Sequence, residues 1–407
     1  MKVYQLSHTN QEIKGVIKLA ASKSESNRAL IINGLCDGNS VLFNLANARD
    51  TRTMQKLLVE DPEVLDVLDA GTTMRFLTAF SAVRGIKKIL TGSKRMQERP
   101  IKLLVDALCG LGCKIVYEKE EGYPPIQVQG FDYKGNNKVQ IAGDVSSQYI
   151  SALLMVAPTL PEGLELTLTG KIGSKPYIQM TLNLMEKFGA KTSWNDNLII
   201  VKPQQYKATD YVIEADWSGA SYWYSMVALS QDANVELEGL RKESNQGDSV
   251  LVDLGELLGV KTTFTDKGVR LEKCGHKQSI EWDFTHCPDI AQTVAVICAA
   301  KGISCKLTGL ESLRIKETDR IDAIRNELAK FGVNVAIEGD EAIIIDKPSM
   351  NFDAKISIET YKDHRMAMAF APLALLTTIQ IENPDVVDKS YPDYWRDLTT
   401  VGFEVVE

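Results

Sequence analysis

The sequence has no apolar run long enough to span a bilayer. Its first residues, Met1-Lys2-Val3-Tyr4-Gln5-Leu6-Ser7-His8, carry no secretory h-region. Both absences point to a cytoplasmic protein with no membrane partner. Histidine is scarce: the four, His8, His276, His286 and His364, are scattered, so neither a zinc site nor a Ser-His-Asp triad has local support and no metal is expected. The seven cysteines, Cys36, Cys109, Cys113, Cys274, Cys287, Cys298 and Cys305, are odd in number and lack C-x-x-C spacing. Reduced, mostly buried thiols are expected rather than a disulfide framework. Positive charge is outweighed, with 46 Lys and Arg against 54 Asp and Glu and a formal net charge of -8, which argues against non-specific nucleic-acid binding. Neither G-x-x-x-x-G-K-[ST] nor G-x-G-x-x-G stands in a strand–helix setting, which disfavours a nucleotide.

What is present is a soluble balance, 44% hydrophobic and 25% charged, in 407 residues. That is room for two or three domains of about 100–200 residues each. One stretch organises the chain. Gly15-Val16-Ile17-Lys18-Leu19-Ala20 alternates like a strand, and Ala21-Ser22-Lys23-Ser24-Glu25-Ser26-Asn27-Arg28 then runs into the apolar Ala29-Leu30-Ile31-Ile32. This reads as strand, polar turn and helix, with Ser, Lys and Arg in the first turn. A helix N-terminus carries free N–H groups and the positive end of the dipole, so cations there make sense if an anion binds between them. An ordinary Ser cap with two solvated cations explains this stretch, taken alone, equally well.

The pattern recurs at 67–77, 139–149, 212–221, 280–290 and 356–366, six copies in all. Most are spaced by roughly 70 residues, so each repeat is a supersecondary unit of its own. The helix after each turn is apolar nearly all round, which implies burial on every side. Amphipathic helices lie between them and end at Gly110, Gly189 and Gly332, each followed by an apolar strand at 114–117, 198–201 and 342–345. The unit is therefore β-α-β-α-β-β, and six such units make an α/β protein of two lobes of three. The best boundary falls near Ala215. Only Thr51 to Leu68 precede the second turn, and Asp61-Pro62-Glu63 breaks that stretch, so the second repeat is expected to be trimmed near 51–68.

The turns supply Lys23, Ser24, Arg28, Gly71, Thr72, Arg75, Ser146, Ser147, Gln148, Asp289, His364 and Arg365. Two further clusters open helices, Arg95-Met96-Gln97-Glu98-Arg99-Pro100 and Arg314-Ile315-Lys316-Glu317-Thr318-Asp319-Arg320. In the second, Lys316 and Arg320 are i,i+4 and are expected on one helix face, where Glu317 and Asp319 could simply pair with them as a solvated run. Asp289 follows Cys287-Pro288 and is, on its own, best read as a helix cap. Cations at so many helix starts suit an anionic substrate carrying more than one phosphate or carboxylate, Arg giving bidentate contacts and Lys a movable point charge.

Taken in order, these residues resemble the 5-enolpyruvylshikimate-3-phosphate synthases. The matching motifs are Lys23-Ser24-x-Ser26-Asn27-Arg28, Ala70-Gly71-Thr72-x-Met74-Arg75, Arg95-Met96-x-Glu98-Arg99-Pro100, Ser146-Ser147-Gln148, Ser174-Lys175-Pro176-Tyr177, Lys316-Glu317-Thr318-Asp319-Arg320, Asp363-His364-Arg365-Met366-Ala367-Met368 and Tyr391-Pro392-Asp393-Tyr394. The resemblance runs from Gly15 to Tyr394. It implies an enolpyruvyl transferase fold of two pseudo-threefold lobes, one of residues 1–20 and 216–407, the other of 21–215. It also implies transfer of the enolpyruvyl group of phosphoenolpyruvate to the 5-hydroxyl of shikimate 3-phosphate, with no cofactor, in a monomer.

By the same resemblance, shikimate 3-phosphate meets Lys23, Ser24, Arg28, Ser146, Ser147, Gln148, Ser174, Tyr177, Asp289, Ser312 and Lys316. Phosphoenolpyruvate meets Lys23, Gly71, Arg99, Gln148, Arg320, His364, Arg365 and Lys389. Asp289 is assigned as base and Glu317 as the proton relay at C3, assisted by Lys23. The cations around Glu317 favour its ionised form. Two departures from the usual pattern stand out: Asp69, with Thr73 and Phe76 after it, places a carboxylate near an anion site, and Ser312 stands where Asn is common. A sister enzyme that transfers enolpyruvyl to a UDP-amino sugar shares the fold, but typically has a reactive Cys in a mobile loop. A catalytically silent phosphometabolite binder on the same scaffold is the remaining alternative.

Overall fold

The stretch after Asp61 shows how one repeat is built. Asp61 adopts a left-handed backbone, φ 45°, and stops the helix Arg49–Glu60. The strand Val64–Asp66 follows, then helix Gly71–Val83, strand Lys88–Thr91, helix Lys102–Gly110 and strands Cys113–Tyr117 and Ile126–Phe131. Val64–Asp66 pairs in parallel with Lys88–Thr91. Lys88–Thr91 pairs antiparallel with Ile126–Phe131, whose other edge takes Cys113–Tyr117. The protein is seen here as a computed structural model describing residues 2–38, 40–339, 341–352 and 356–407. Five four-stranded sheets of this kind are present among the described residues, with one two-stranded sheet of Leu42–Phe43 and Tyr211–Val212.

The shortening expected in the second repeat falls instead in the first. Residues 51–60 are not missing structure: they form the helix Arg49–Glu60, whose Asp50, Met54 and Leu57 are buried at helical spacing. The second sheet is complete, and the first keeps only its short parallel pair.

The chain divides into two units, Met1–Ser22 with Glu214–Glu407, and Lys23–Ile213. The first contains three four-stranded sheets, two of them completed by the N-terminus. Glu12–Lys18 pairs in parallel with Asp232–Glu238. Val3–His8 lies between Ile379–Glu382 and Phe403–Val406, antiparallel to both. The opening strand and the helix after it thus belong to different units: Glu12–Lys18 to the first, Lys23–Gly34 to the second. The exchange is reciprocal, because Tyr211–Val212 belongs to the second unit and Trp217–Leu229 to the first.

Each unit has its own apolar core. In the first, helices Trp217–Leu229, Ala291–Lys301 and His364–Phe370 pack on one another, and all thirteen residues of Trp217–Leu229 are buried. In the second the corresponding helices are Lys23–Gly34, Gly71–Val83 and Ser147–Val156. This is why their sequences show no polar face. Each buried Leu, Ile or Phe adds about 1.5–3 kcal/mol over exposure, and polar residues are pushed to the helix ends. All seven cysteines are free thiols. Among the described residues no helix is long and apolar enough to cross a membrane.

Candidate functional site

In the unit Lys23–Ile213, the expected residues stand at helix starts. Lys23 opens Lys23–Gly34, and its Nζ lies 3.3 Å from Oδ2 of the buried Asp50. Arg28, one turn on, is buried. Its Nη1 donates to the Ser24 carbonyl at 2.9 Å and its Nε to Thr181 Oγ1 at 2.8 Å. Its Nη2 donates to Ser151 Oγ at 3.0 Å and to the Tyr177 carbonyl at 3.5 Å. Four of the five N–H donors of its guanidinium are thus engaged among the described residues.

Gly71 opens Gly71–Val83 directly beside Arg99, and a Cβ there would come within 2.7 Å of Arg99 Nη1. The absent side chain is what lets that guanidinium lie against the helix start. Arg75 donates to the carbonyls of Gly71 at 3.3 Å and Pro100 at 2.8 Å, which fixes the Arg99-Pro100 segment against the same helix. Tyr149 Oη donates to the Pro100 carbonyl as well. Ser146 caps Ser147–Val156, its Oγ accepting from Gln148 N at 3.4 Å. Gln148 Nε2 reaches Thr72 Oγ1 at 3.3 Å, so the helix starts at 71 and 147 are adjacent. Ser174 holds a left-handed backbone, φ 50°, before helix Lys175–Lys187 and makes no side-chain cap. Such strain persists in a non-glycine residue only where its surroundings hold it.

Positive charge in this cluster is little compensated. Burial pushes Arg28 down to about 10; burial and the neighbouring Arg99 push Arg75 to about 10. Among the described residues no carboxylate lies within ion-pair distance of Arg28, Arg75 or Arg99. Asp69, which precedes this cluster, is already engaged: Arg49 Nη2 lies 2.8 Å from its Oδ1 and 2.9 Å from its Oδ2. Its charge is thereby paired locally.

In the other unit every cation of the cluster faces a carboxylate. Arg320 is 2% exposed in its side chain, with Nη1 3.1 Å from Asp289 Oδ1, Nη2 3.0 Å from Glu317 Oε2 and Nε 2.7 Å from Asp363 Oδ2. Burial opposes its charge, but Asp363, Glu317 and Asp289 outweigh that and hold its pKa above the usual value. Arg365 Nη2 lies 3.0 Å from Asp289 Oδ2, and its Nη1 donates to Tyr222 Oη at 3.3 Å. Lys389 Nζ lies 2.9 Å from Glu317 Oε1. Asp289 and Glu317 are therefore each clamped between two cations. Asp289 is not the cap expected from sequence alone: position Ile290 caps the helix Ala291–Lys301, without a side-chain bond.

The local folding explains these positions. Asp319 caps the helix Arg320–Ala329, its Oδ1 accepting from Ile321 N and Asp322 N. The helix begins at Arg320, so Lys316, in extended backbone after the 3-10 turn Glu311–Ile315, is not one helical turn from it, contrary to the i,i+4 expectation. Ser312 lies in that 3-10 turn. Burial pushes the Lys316 ammonium down, and Asp289 pulls it back up. Before helix His364–Phe370, Tyr361 and Lys362 both hold left-handed backbones, φ 53° and 57°. Tyr361 Oη donates to Glu327 Oε1 at 2.9 Å and anchors the turn that presents Asp363, His364 and Arg365. His364 is buried, Nδ1 3.6 Å from Asp363 Oδ1.

In one unit Arg28, Ser24 and Tyr177 are joined to one another, as are Gly71, Arg75, Arg99 and Gln148 at neighbouring helix starts; in the other, Asp289, Glu317, Arg320, Arg365 and Lys389 form one ion-paired cluster. Asp50, Ser151, Thr181 and Tyr222 complete those clusters and were missed. Asp363 was legible only as part of a motif. Ser151, Thr181 and Tyr222 sit inside helices, where no local pattern distinguishes them from core. The thiols that the UDP-sugar reading needs are poor candidates: Cys109 ends up in helix Lys102–Gly110 and Cys113 begins a strand, and burial pushes both up, Cys113 to about 12.

Five complete β-α-β-α-β-β repeats and one shortened copy among the described residues, with charged helix starts, define the class: an α/β protein of the enolpyruvyl transferase fold. A solved structure described as EPSP synthase from Acinetobacter baumannii superposes with a TM-score of 0.82 over 100% of both chains at 20% identity, which concerns the fold alone. The model of the family described as EPSP synthase (3-phosphoshikimate 1-carboxyvinyltransferase) matches residues 8–60 and 55–398. A 3-phosphoshikimate 1-carboxyvinyltransferase of Bacteroides fragilis strain YCH46 is 50% identical over 406 residues, covering 99% of this chain and 98% of its own. One of Pasteurella multocida strain Pm70 is 36% identical over 419 residues, covering 94% of each. The chain belongs to the EPSP synthase family.

Proposed function

We propose that these clusters carry the family's reaction in this chain: the enolpyruvyl group of phosphoenolpyruvate passes to the 5-hydroxyl of shikimate 3-phosphate, and phosphate is released, on the route to chorismate and the aromatic amino acids. The observation that carries the residue-level reading is the pair of carboxylates on one unit, Asp289 and Glu317, each held by two cations. Proton traffic needs such groups. C2 of the enol phosphate becomes electrophilic only once C3 is protonated, and the attacking hydroxyl must lose its proton as the C2–O bond forms.

Asp289 serves as the base for that hydroxyl. Glu317 relays the proton at C3, first delivering it and then removing it as phosphate leaves the tetrahedral intermediate. Lys23 assists, held by Asp50. Lys23, Gly71, Arg99, Gln148, Arg320, His364, Arg365 and Lys389 bind phosphoenolpyruvate, the cations stabilising the departing phosphate. Shikimate 3-phosphate takes Lys23, Ser146, Ser147, Gln148 and Ser174 at its phosphate, and Ser24, Tyr177, Asp289, Ser312 and Lys316 at its ring. Arg28 offers its one remaining N–H and otherwise holds Ser24 and Tyr177 in place. The protein works as a cytoplasmic monomer without a cofactor. Phosphate release from phosphoenolpyruvate, measured with and without shikimate 3-phosphate, tests the reading. Release must depend strictly on the second substrate, and binding without turnover would leave only a phosphometabolite binder.

A further inference from the structure

One buried carboxyl is left unused by the reaction scheme. Asp248 is 4% exposed, in the 3-10 turn Gly247–Val250. The turn is pinned to the start of helix Trp217–Leu229: Gln246 Oε1 accepts from Trp217 N at 3.0 Å and its Nε2 donates to the Ala215 carbonyl at 2.7 Å. Asp248 Oδ2 accepts from the Ser218 hydroxyl, while Oδ1 is buried with no hydrogen-bond partner. A carboxylate oxygen buried and unpaired is costly, and a carboxyl oxygen far less so. The charged groups that act on Asp248 are Asp289, Arg365 and Asp216, and its own charge acts on Cys287. Helix Trp217–Leu229 ties it to the clamp: Tyr222, one turn after Ser218, accepts from Arg365 Nη1 at 3.3 Å, and Arg365 Nη2 lies 3.0 Å from Asp289 Oδ2.

We propose that Asp248 is a positioning residue for the transfer reaction, a buried carboxyl whose proton occupancy sets how readily Asp289 accepts the substrate proton. The inference rests on the reading of Asp289 as base. Two guanidiniums make Asp289 a weak proton acceptor. A second negative charge acting on it offsets them, and coupling of this kind is reciprocal. Burial first, then the charge of Asp289, pushes Asp248 up to about 7, against the Ser218 hydrogen bond and Arg365. The sign follows. Below about pH 7 Asp248 is neutral and Asp289 feels the cations alone; above it Asp248 is ionised and Asp289 becomes the better acceptor.

The test is the pH profile of kcat for the full-length chain with saturating phosphoenolpyruvate and shikimate 3-phosphate. The unaltered protein shows a rise through neutral pH. Asp248→Asn, permanently neutral, loses that inflection and falls about threefold to tenfold at pH 8, as expected for a base weakened by about one pKa unit or less, with KM for both substrates little changed. Ser218→Ala removes a hydrogen bond to the ionised form, so the inflection moves to higher pH. This second variant keeps the test alive if Asp248→Asn does not fold. An unaltered profile in Asp248→Asn, or an inflection in Ser218→Ala that stays or moves down, overturns the proposal. Asp289→Asn separates the two levels: if it abolishes turnover while Asp248→Asn keeps the original profile, the base reading stands and this inference falls. Retained turnover in Asp289→Asn removes both.

Discussion

The two units start from the same repeat and treat positive charge in opposite ways. In Lys23–Ile213, Arg28 and Arg75 are buried against hydroxyls, carbonyls and aromatic rings, and Arg99 lies over a glycine. In the other unit, Arg320 alone touches three carboxylates and Asp289 is shared by two guanidiniums. The first arrangement leaves net positive charge. The second is nearly neutral, its carboxylates pairing with its cations. A buried cation that meets only neutral partners loses part of its hold on its proton, as Arg28 and Arg75 do; one among carboxylates gains, as Arg320 does.

That contrast can be broken in several ways. Asp289→Asn should lower kcat by about 10²–10⁴, the usual contribution of a general base, with the melting temperature little changed. A small loss would mean that the proton-handling cluster is structural. Arg320→Met strands Asp363, which is fully buried, and should destabilise the fold by about 3–5 kcal/mol in denaturant unfolding. A near-neutral result would show that the carboxylate cluster rearranges freely.

On the other unit the effects should appear in binding. Arg99→Gln removes charge-assisted contacts, so KM for phosphoenolpyruvate should rise roughly tenfold to a hundredfold with modest change in stability. The rise should be partly mimicked in the unaltered protein by added salt. Gly71→Ala pushes only the far end of the Arg99 side chain, so about threefold to tenfold in KM is expected with stability altered by less than about 1 kcal/mol. The smallest effect belongs to Asp69→Asn. Its pair with Arg49 is about a third exposed on each side, so unfolding should shift by no more than about 1 kcal/mol. A large KM change there would mean that Asp69 acts on the anion directly.

Much of this was legible beforehand, for a physical reason. Strand alternation, apolar helices and glycine stops are local signals, and they recur six times. The misread segments are those where another force overrode the local one. Residues 51–60 looked trimmed because Asp61-Pro62 ends them abruptly, yet Met54 and Leu57, about one turn apart, give that stretch a buried apolar helical face. Lys316 looked like a helix neighbour of Arg320, but Asp319 caps the helix after it. Asp289 looked like a cap because its spacing from the helix allows one; its partners come from 31 positions away at Arg320 and from Arg365 in another repeat.

The sequence by itself determined the repeat, the burial of the inner helices and the placing of charged residues at their starts, because each depends on neighbours a few positions apart. Only the tertiary structure decided which charges meet. It brings the N-terminal strands into sheets made by the second half of the chain, and Arg320 between Asp289 and Asp363. Arg99 comes to rest over the one residue without a side chain in its way. Ion pairing falls off within a few ångströms, and no spacing along the chain encodes distances of that kind.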